Sequence, residues 1–329
     1  MGTKMNKQLQ VWKLIAAGLQ QQIPITLLYV LESSGSSPGR QGFFMTVNAN
    51  DEMAGSIGGG IMEHRFVEMA KKKLLEEGTQ KSSHIRKQVH DKASGKNKSG
   101  MICSGEQTIL IYMVKPKDIV CIQHIIALLK KNNNATLIFS PAGIQFDTKI
   151  PPNDFEFTIH SEDNWLYKEK IGYKNSLTII GGGHCSLAFS RLMSQLDFYI
   201  RIYDIRKCLN TMLENDAVHE KHFLTHYSEL NQLISSGPNH YVVIMTFGYR
   251  TDDIALRALL NKEFRYLGLL GSKAKIEKMF SDYRKEELNE KMLQRIHSPI
   301  GIPIKSQTPD EIAISIAAEI ISEKNKNLT

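Results

Sequence analysis

Residues 177–206, LTIIGGGHCSLAFSRLMSQLDFYIRIYDIR, decide the fold of this chain. Residues 177–180 are a short apolar run, and Gly181-Gly182-Gly183 permits a sharp turn with room for a pyrophosphate. The helix predicted from His184 would aim its free N–H groups at that anion. A second strand closes at Asp204, 21 residues past the last glycine, where a carboxylate can accept hydrogen bonds from a ribose diol. Ser186 takes the third position of G-x-G-x-x-G, small enough for close helix packing although neither Gly nor Ala. The candidate contacts are Gly181, Gly183, His184, Ser186, Asp204 and Arg206. Arg206 could pair with a 2′-phosphate and favour NADP, whereas Asp204 would repel that phosphate and favour NAD or another nucleotide. Arg206 as a solvated surface charge, and a doubly wound domain without a ligand, fit the same residues.

From Leu177 onward, strands at 199–203, 241–245 and 266–270 alternate with helical patterns, as in a doubly wound, mainly parallel sheet. Thr308, Pro309 and Glu311 form a capping box that starts the last helix. Upstream, strands at 25–31, 43–47 and 108–114 and helices near 60–77 and 117–131 indicate a smaller α/β or α+β domain. Leu9, Trp12, Ile15, Ala16 and Leu19 recur at helical spacing before it. The expected fold class is therefore α/β, with a domain at 1–150, a linker at 151–176 opened by Pro151-Pro152, and a Rossmann-like domain at 177–329.

The 329 residues are 42% hydrophobic and 23% charged, an ordinary balance for two domains with their own cores. No run approaches the roughly 18 apolar residues of a membrane span, and the N-terminus lacks a signal-peptide pattern, so a cytoplasmic protein is expected. The net charge of +7 comes from lysines spread over many segments, not from one stripe with interleaved aromatics. That argues against nucleic acid and suits anionic small molecules. Cys103, Cys121, Cys185 and Cys208 show neither CxxC nor zinc spacing. Cys121 falls in an apolar helical pattern, Cys208 has no evident partner, and Cys185 lies in the glycine turn. Cys103 differs, standing in the polar loop KSGMICSGEQ, where a structural cysteine is not normally hidden.

Two further loops carry unusual chemistry. SSGSSPGRQG (33–42) follows a strand, and AGSIGGGIMEHRF (54–66) sets Gly58, Gly59 and Gly60 directly before a helix bearing Glu63 and His64. The second is a potential anion cradle, and a tight structural turn accounts for it equally well.

Together these segments resemble the XdhC/CoxI family, accessory proteins that mature molybdenum hydroxylases such as xanthine dehydrogenase. SSGSSPGRQG is similar to the family's G-S-S-P loop, GSIGGGIME to G-[ST]-I-G-G-G-x-x-E, and MICSGEQ to M-x-C-G-G with Ser104 at the usual glycine. IIGGGHCSLA resembles its G-[AG]-G-H turn, YLGLLGSKAK (266–275) its Y-I-G-L-L-G-S-x-x-K block, and residues 298–320 its P-I-G-L…T-P-E-E-I-A-x-S-I-x-A-E terminus. Phe247 departs from the family's Thr-His, Asp252 retains its later Asp, and Lys305 replaces a frequent glycine.

The resemblance implies a cofactor chaperone more than an enzyme. It would bind the molybdenum cofactor (molybdopterin), aid its sulfuration, protection or insertion, and act on an apo-hydroxylase. A cysteine desulfurase and a second copy of the chain are further expected partners. Cys103 becomes the candidate contact to molybdenum or transferred sulfur, and the glycine turn with Asp204 would hold a nucleotide portion or a separate dinucleotide. The rivals are an NAD(P)-dependent oxidoreductase, with His184 or Tyr249 as proton donor, and a nucleotide-sensing regulatory protein.

Overall fold

The computed structural model describes residues 7–75, 82–89 and 105–326, so Cys103 and Ser104 lie outside the described residues. The chain divides into two compact units, Met1–Gly172 and Tyr173–Thr329.

The first unit opens with α1 (Lys7–Gln20), β1 (Ile25–Gly35), β2 (Phe44–Asn48), β3 (Met53–Gly55), α2 (Gly60–Leu75), β4 (Ser83–Val89) and β5 (Gly105–Met113). It continues with α3 (Ile119–Lys130), β6 (Ala135–Ser140), β7 (Gly143–Asp147), β8 (Phe155–Ser161) and β9 (Asn164–Ile171). Among the described residues the strands form two antiparallel sheets, ordered β3-β2-β1-β5-β4 and β7-β6-β9-β8. β1 is central and buried on both faces. Leu27, Tyr29 and Leu31 pack with α1 and α3 around Trp12, and Leu28 and Val30 pack with Met62, Phe66 and Ala70 of α2. The helical spacing at Leu9, Trp12, Ile15 and Ala16 is thus a buried stripe.

Two expectations change here. The first unit is slightly the longer of the two, and it ends at Gly172, not near residue 150. Pro151-Pro152 lies in the connection between β7 and β8, and the supposed linker 151–176 supplies both β8 and β9. The reason is a period-2 pattern that buries Trp165, Tyr167, Glu169 and Ile171 of β9. Glu169 accepts hydrogen bonds from Tyr29 (2.5 Å) and Tyr167 (2.7 Å), which ties this strand to β1 of the other sheet.

The second unit runs β10 (Asn175–Ile180), α4 (His184–Met193), β11 (Phe198–Asp204), α5 (Asn210–Leu213), β12 (Glu220–Phe223), α6 (Leu230–Leu233) and β13 (Gly237–Ile244). It ends with α7 (Tyr249–Leu259), β14 (Phe264–Leu269), α8 (Lys273–Lys285), α9 (Glu290–Gln294), β15 (Ile296–His297) and α10 (Pro309–Asn325). All pairings are parallel, in the order β12-β11-β10-β13-β14-β15. Numbered within the unit this is 3-2-1-4-5-6, the dinucleotide-fold order, so the direction of winding reverses between β10 and β13. Alternate strand residues face two cores. Leu177, Ile179 and Val243 pack under α4 and α10, and Ile180, Val242 and Ile244 pack under α7 and α8. A crevice for ligands is expected beyond the carboxyl ends of β10 and β13.

The terminal helix starts as its sequence signals, with Thr308 accepting from Glu311 N–H and Glu311 accepting from Thr308 N–H. Just before it, Lys305 holds φ at +60°, the left-handed region that favours glycine. Lys305→Gly should remove a cost of about 1–2 kcal/mol for an L-residue there and add about 0.5–1 kcal/mol of chain entropy. The expected net gain is about 0.5 kcal/mol, read as a rise of roughly 1–2 °C in the melting of this unit. An unchanged or lower melting temperature would show that the lysine side chain offsets its backbone.

Candidate functional site

Each glycine of the 181–183 turn answers a different demand. Gly181 has φ +104°, and a Cβ there would lie 2.3 Å from the Met245 carbonyl oxygen and 2.9 Å from Thr246 Cα, so the β10 and β13 ends abut at this point. Gly182 donates its N–H to Asp204 Oδ2 (2.6 Å), and its carbonyl accepts from Thr211 Oγ1 (2.5 Å). Gly183 is the N-cap of α4 in an extended conformation, and no heavy atom lies within 4 Å of where its Cβ would stand. Glycine here answers no need of the fold. It opens space in front of first-turn N–H groups that no side chain caps, which is the requirement for a bound anion.

His184 is exposed at the first position of α4, in reach of that space. Ser186 is fully buried and donates to the Gly181 carbonyl, so it locks the turn and is not a ligand contact. Cys185, in the first turn of α4, packs against the core, and burial pushes its thiol up, outweighing the opposing pull of its own backbone N–H.

Two buried carboxylates bracket the turn, each tied to a partly exposed cation. On the β11 side, Asp204 is fully buried. Its Oδ1 accepts from Arg206 N–H (2.7 Å) and Nε (2.9 Å), and its Oδ2 from Gly182 N–H and an Arg206 terminal nitrogen (2.7 Å). Burial raises the Asp204 carboxyl pKa, but the hydrogen bonds from Arg206 and Gly182 outweigh it and leave the group below the usual carboxylate range. The Arg206 guanidinium also rests on the ring of Phe247, 4.6 Å from its centroid, and that ring is largely exposed. Arg206 is thus not a free surface charge: it is paired with Asp204 and stacked on Phe247. The expectation that Asp204 receives a ribose diol is not met by this arrangement, because its acceptor sites are already filled.

On the β13 side, Asp252 is fully buried and accepts from Thr246 N–H (3.0 Å) and Thr246 Oγ1 (2.6 Å). Lys275 Nζ pairs with its other oxygen and also donates to the Leu270 carbonyl (3.1 Å). This ion pair fixes the loop that abuts Gly181. Asp252 and Lys275 fall inside family-like blocks of the sequence, which assign a role to neither. The signal is the lysine of L-G-S-x-x-K, whose partner 23 residues away no local pattern reveals.

In the first unit, Gly58, Gly59 and Gly60 all have positive φ. The chain supplies its own anion to this turn: Glu63 Oε2 accepts from Ser56 Oγ (2.7 Å), Ile57 N–H (2.9 Å) and Gly59 N–H (3.0 Å), while a Cβ on Gly59 or Gly60 would meet open space. Glu63 thus serves the turn itself, and the positive φ of the three glycines accounts for their place in it. The turn also joins its neighbours. A Cβ on Gly39 would strike the Ile57 carbonyl at 1.9 Å, Gln107 Nε2 donates to the Gly39 carbonyl (2.8 Å), and a Cβ on Gly105 would meet Ser34 O and Ser37 N at 2.8 Å. The three family-like loops of the first half thus converge where β5 begins. Cys103, two residues before Gly105, falls outside the described residues.

Among the described residues no group of His, Cys, Asp and Glu could hold a metal ion, and no helix is long and apolar enough to cross a membrane. Tyr249, a proton-donor candidate for hydride transfer, donates to Asp282 (3.1 Å), and burial followed by that contact pushes its phenol up.

Residues 177–320 match the XdhC Rossmann domain, and residues 19–86 match the XdhC and CoxI family. The chain belongs to the XdhC and CoxI family. It is 26% identical over 315 residues to the uncharacterized protein YqeB of Escherichia coli (strain K12), covering 94% of this chain and 46% of that protein. It is 24% identical over 166 residues to a probable xanthine dehydrogenase component of Bacillus subtilis (strain 168), covering 49% of this chain and 46% of that one. The chain thus spans about half the length of these curated relatives. A xanthine dehydrogenase chain of Bacillus halodurans, solved as a crystal structure, shares the fold, with a TM-score of 0.71 at 21% identity over 98% of this chain and 97% of that one.

Proposed function

We propose that this chain is an accessory protein for the maturation of a molybdenum hydroxylase such as xanthine dehydrogenase, binding the molybdenum cofactor and aiding its sulfuration, protection or insertion. The observation that carries the reading is the open space at Gly183, in front of an uncapped helix start and beside the Arg206 and Lys275 ion pairs. That donor set fits the phosphate of a pterin cofactor. Its relatives' names supply the hydroxylase as partner. When bound, the cofactor supplies the molybdenum and sulfur chemistry; the chain's part is to hold the phosphate at Gly183 and to shield the ligand from water and oxidant. The protein would act in the cytoplasm, where a cysteine desulfurase is a fitting source of the sulfur.

A hydride-transfer enzyme is less well supported, since Tyr249 is engaged with Asp282 and its phenol is raised, not primed to give up a proton.

Cys103 is the proposed thiol beside molybdenum or the transferred sulfur. Cys103→Ser should spare folding but lower cofactor retention or target activation, because a hydroxyl is a poor substitute for a soft thiolate. Cys121 serves as the contrast. It packs half-buried against the first core, and burial raises its thiol pKa to about 11, so it is an inert packing residue. Cys121→Ser should lower stability by about 1–3 kcal/mol and leave activation intact. Melting curves and activation of apo-hydroxylase by cofactor-loaded protein read both effects. Full delivery by Cys103→Ser removes the thiol from the proposal.

A further inference from the structure

We propose that Arg206, held on the ring of Phe247, sets the ligand specificity of the crevice: it closes Asp204 to ribose, so that the site takes a phosphomonoester of a planar ring and rejects ligands carrying a ribose diol. This specificity rests on reading the crevice as the cofactor site, and it selects between the pterin phosphate and a dinucleotide.

Acceptor capacity decides the matter. An ionised carboxylate offers about four lone-pair sites. In Asp204 four N–H donors already occupy them, two on each oxygen, and every donor belongs to Arg206 or Gly182. A dinucleotide-binding carboxylate at the end of this strand has to accept from the ribose 2′-hydroxyl. Asp204 has no exposed surface with which to do so. Arg206 does not stand there as a freely swinging side chain, because two of its nitrogens grip Asp204 while its other side lies on Phe247. Arg206 follows β11 and Phe247 follows β13, the two strands that flank β10, so their contact runs from one side of the glycine turn to the other. The Phe247 ring remains 57% exposed, a flat apolar surface at the mouth of the crevice. The space at Gly183 is left open, so phosphate is admitted where ribose is not.

Calorimetric titration of the full chain with ADP-ribose and with 6-hydroxymethylpterin phosphate tests this. The intact protein should bind the pterin phosphate and take ADP-ribose at least about tenfold more weakly, the equivalent of one charge-assisted hydrogen bond. Arg206→Ala frees two acceptor sites on Asp204 and should improve ADP-ribose binding by about tenfold or more. Should that variant fold poorly, Phe247→Ala, which loosens Arg206 but keeps it, should move ADP-ribose binding in the same direction by a smaller factor. If the intact protein binds ADP-ribose as tightly as the pterin phosphate, and Asp204→Asn weakens it, Asp204 is open and the inference is overturned. No gain of ADP-ribose binding in either variant overturns it as well. Gain in the variants with no pterin phosphate binding by the intact protein upholds the ribose exclusion and defeats the cofactor reading instead.

Discussion

Gly181→Ala is expected to destabilise the second unit severely, whereas Gly183→Val, two residues on and with a larger side chain, is expected to leave it stable and unable to bind its ligand. At Gly181 the new methyl meets backbone, the Met245 carbonyl at 2.3 Å, and φ is +104°, which an L-residue rarely adopts. Strain of this kind costs about 1–3 kcal/mol, and parting two central strands adds packing loss, so a destabilisation of roughly 3–5 kcal/mol follows. That is a large share of the roughly 5–15 kcal/mol that holds a typical domain together. At Gly183 the valine enters open space, so the sheet and helices keep their contacts while the anion site is filled by methyl groups. Thermal melting and calorimetry on both variants separate the two roles. A stable Gly181→Ala, or a Gly183→Val that binds every ligand of the intact protein unchanged, contradicts the assignment of these glycines.

Lys275→Met is expected to be nearly as damaging. It leaves the Asp252 carboxylate fully buried without its cation, with Thr246 still donating to one of its oxygens. Removing one member of a buried pair costs about 3–5 kcal/mol because the other charge stays uncompensated. Lys275 is itself about a quarter exposed, so water can partly replace it and the lower end, about 2–3 kcal/mol, is expected. Asp252→Asn with Lys275→Met removes both charges and should recover much of the loss, since a neutral amide can still hold Thr246. A double variant no more stable than Lys275→Met would mean that the pair's electrostatics are not what fixes the loop after β13.

How much of this is legible in the sequence depends on whether each signal is local. The turn at 181–183, the capping box at Thr308 and the helical stripe around Trp12 all lie within one element, and each stands in the structure as its residue pattern indicates. The second sheet of the first unit is not legible in this way. Its hairpins β6–β7 and β8–β9 join only where β6 pairs with β9, tens of residues away, and Pro151-Pro152 resembles a linker until β9 is seen to bury Tyr167 and Glu169 against Tyr29. Site residues mislead for a related reason. Asp204, Ser186 and Glu63 have the side chains that ligands use, but each spends its hydrogen bonds on the chain itself. Conversely the lysine of L-G-S-x-x-K is visible in the sequence but its role is not, because Asp252, its partner, stands on another element.

That the crevice of the second unit holds a phosphorylated pterin is tested most directly on protein purified from cells that make the molybdenum cofactor. Oxidation and extraction, followed by chromatographic quantitation of fluorescent pterin phosphate, would be carried out on the intact chain and on Gly183→Val. Pterin phosphate is expected in a substantial fraction of the intact molecules and at background level in the equally folded Gly183→Val. Pterin absent from both, or carried equally by both, would contradict it.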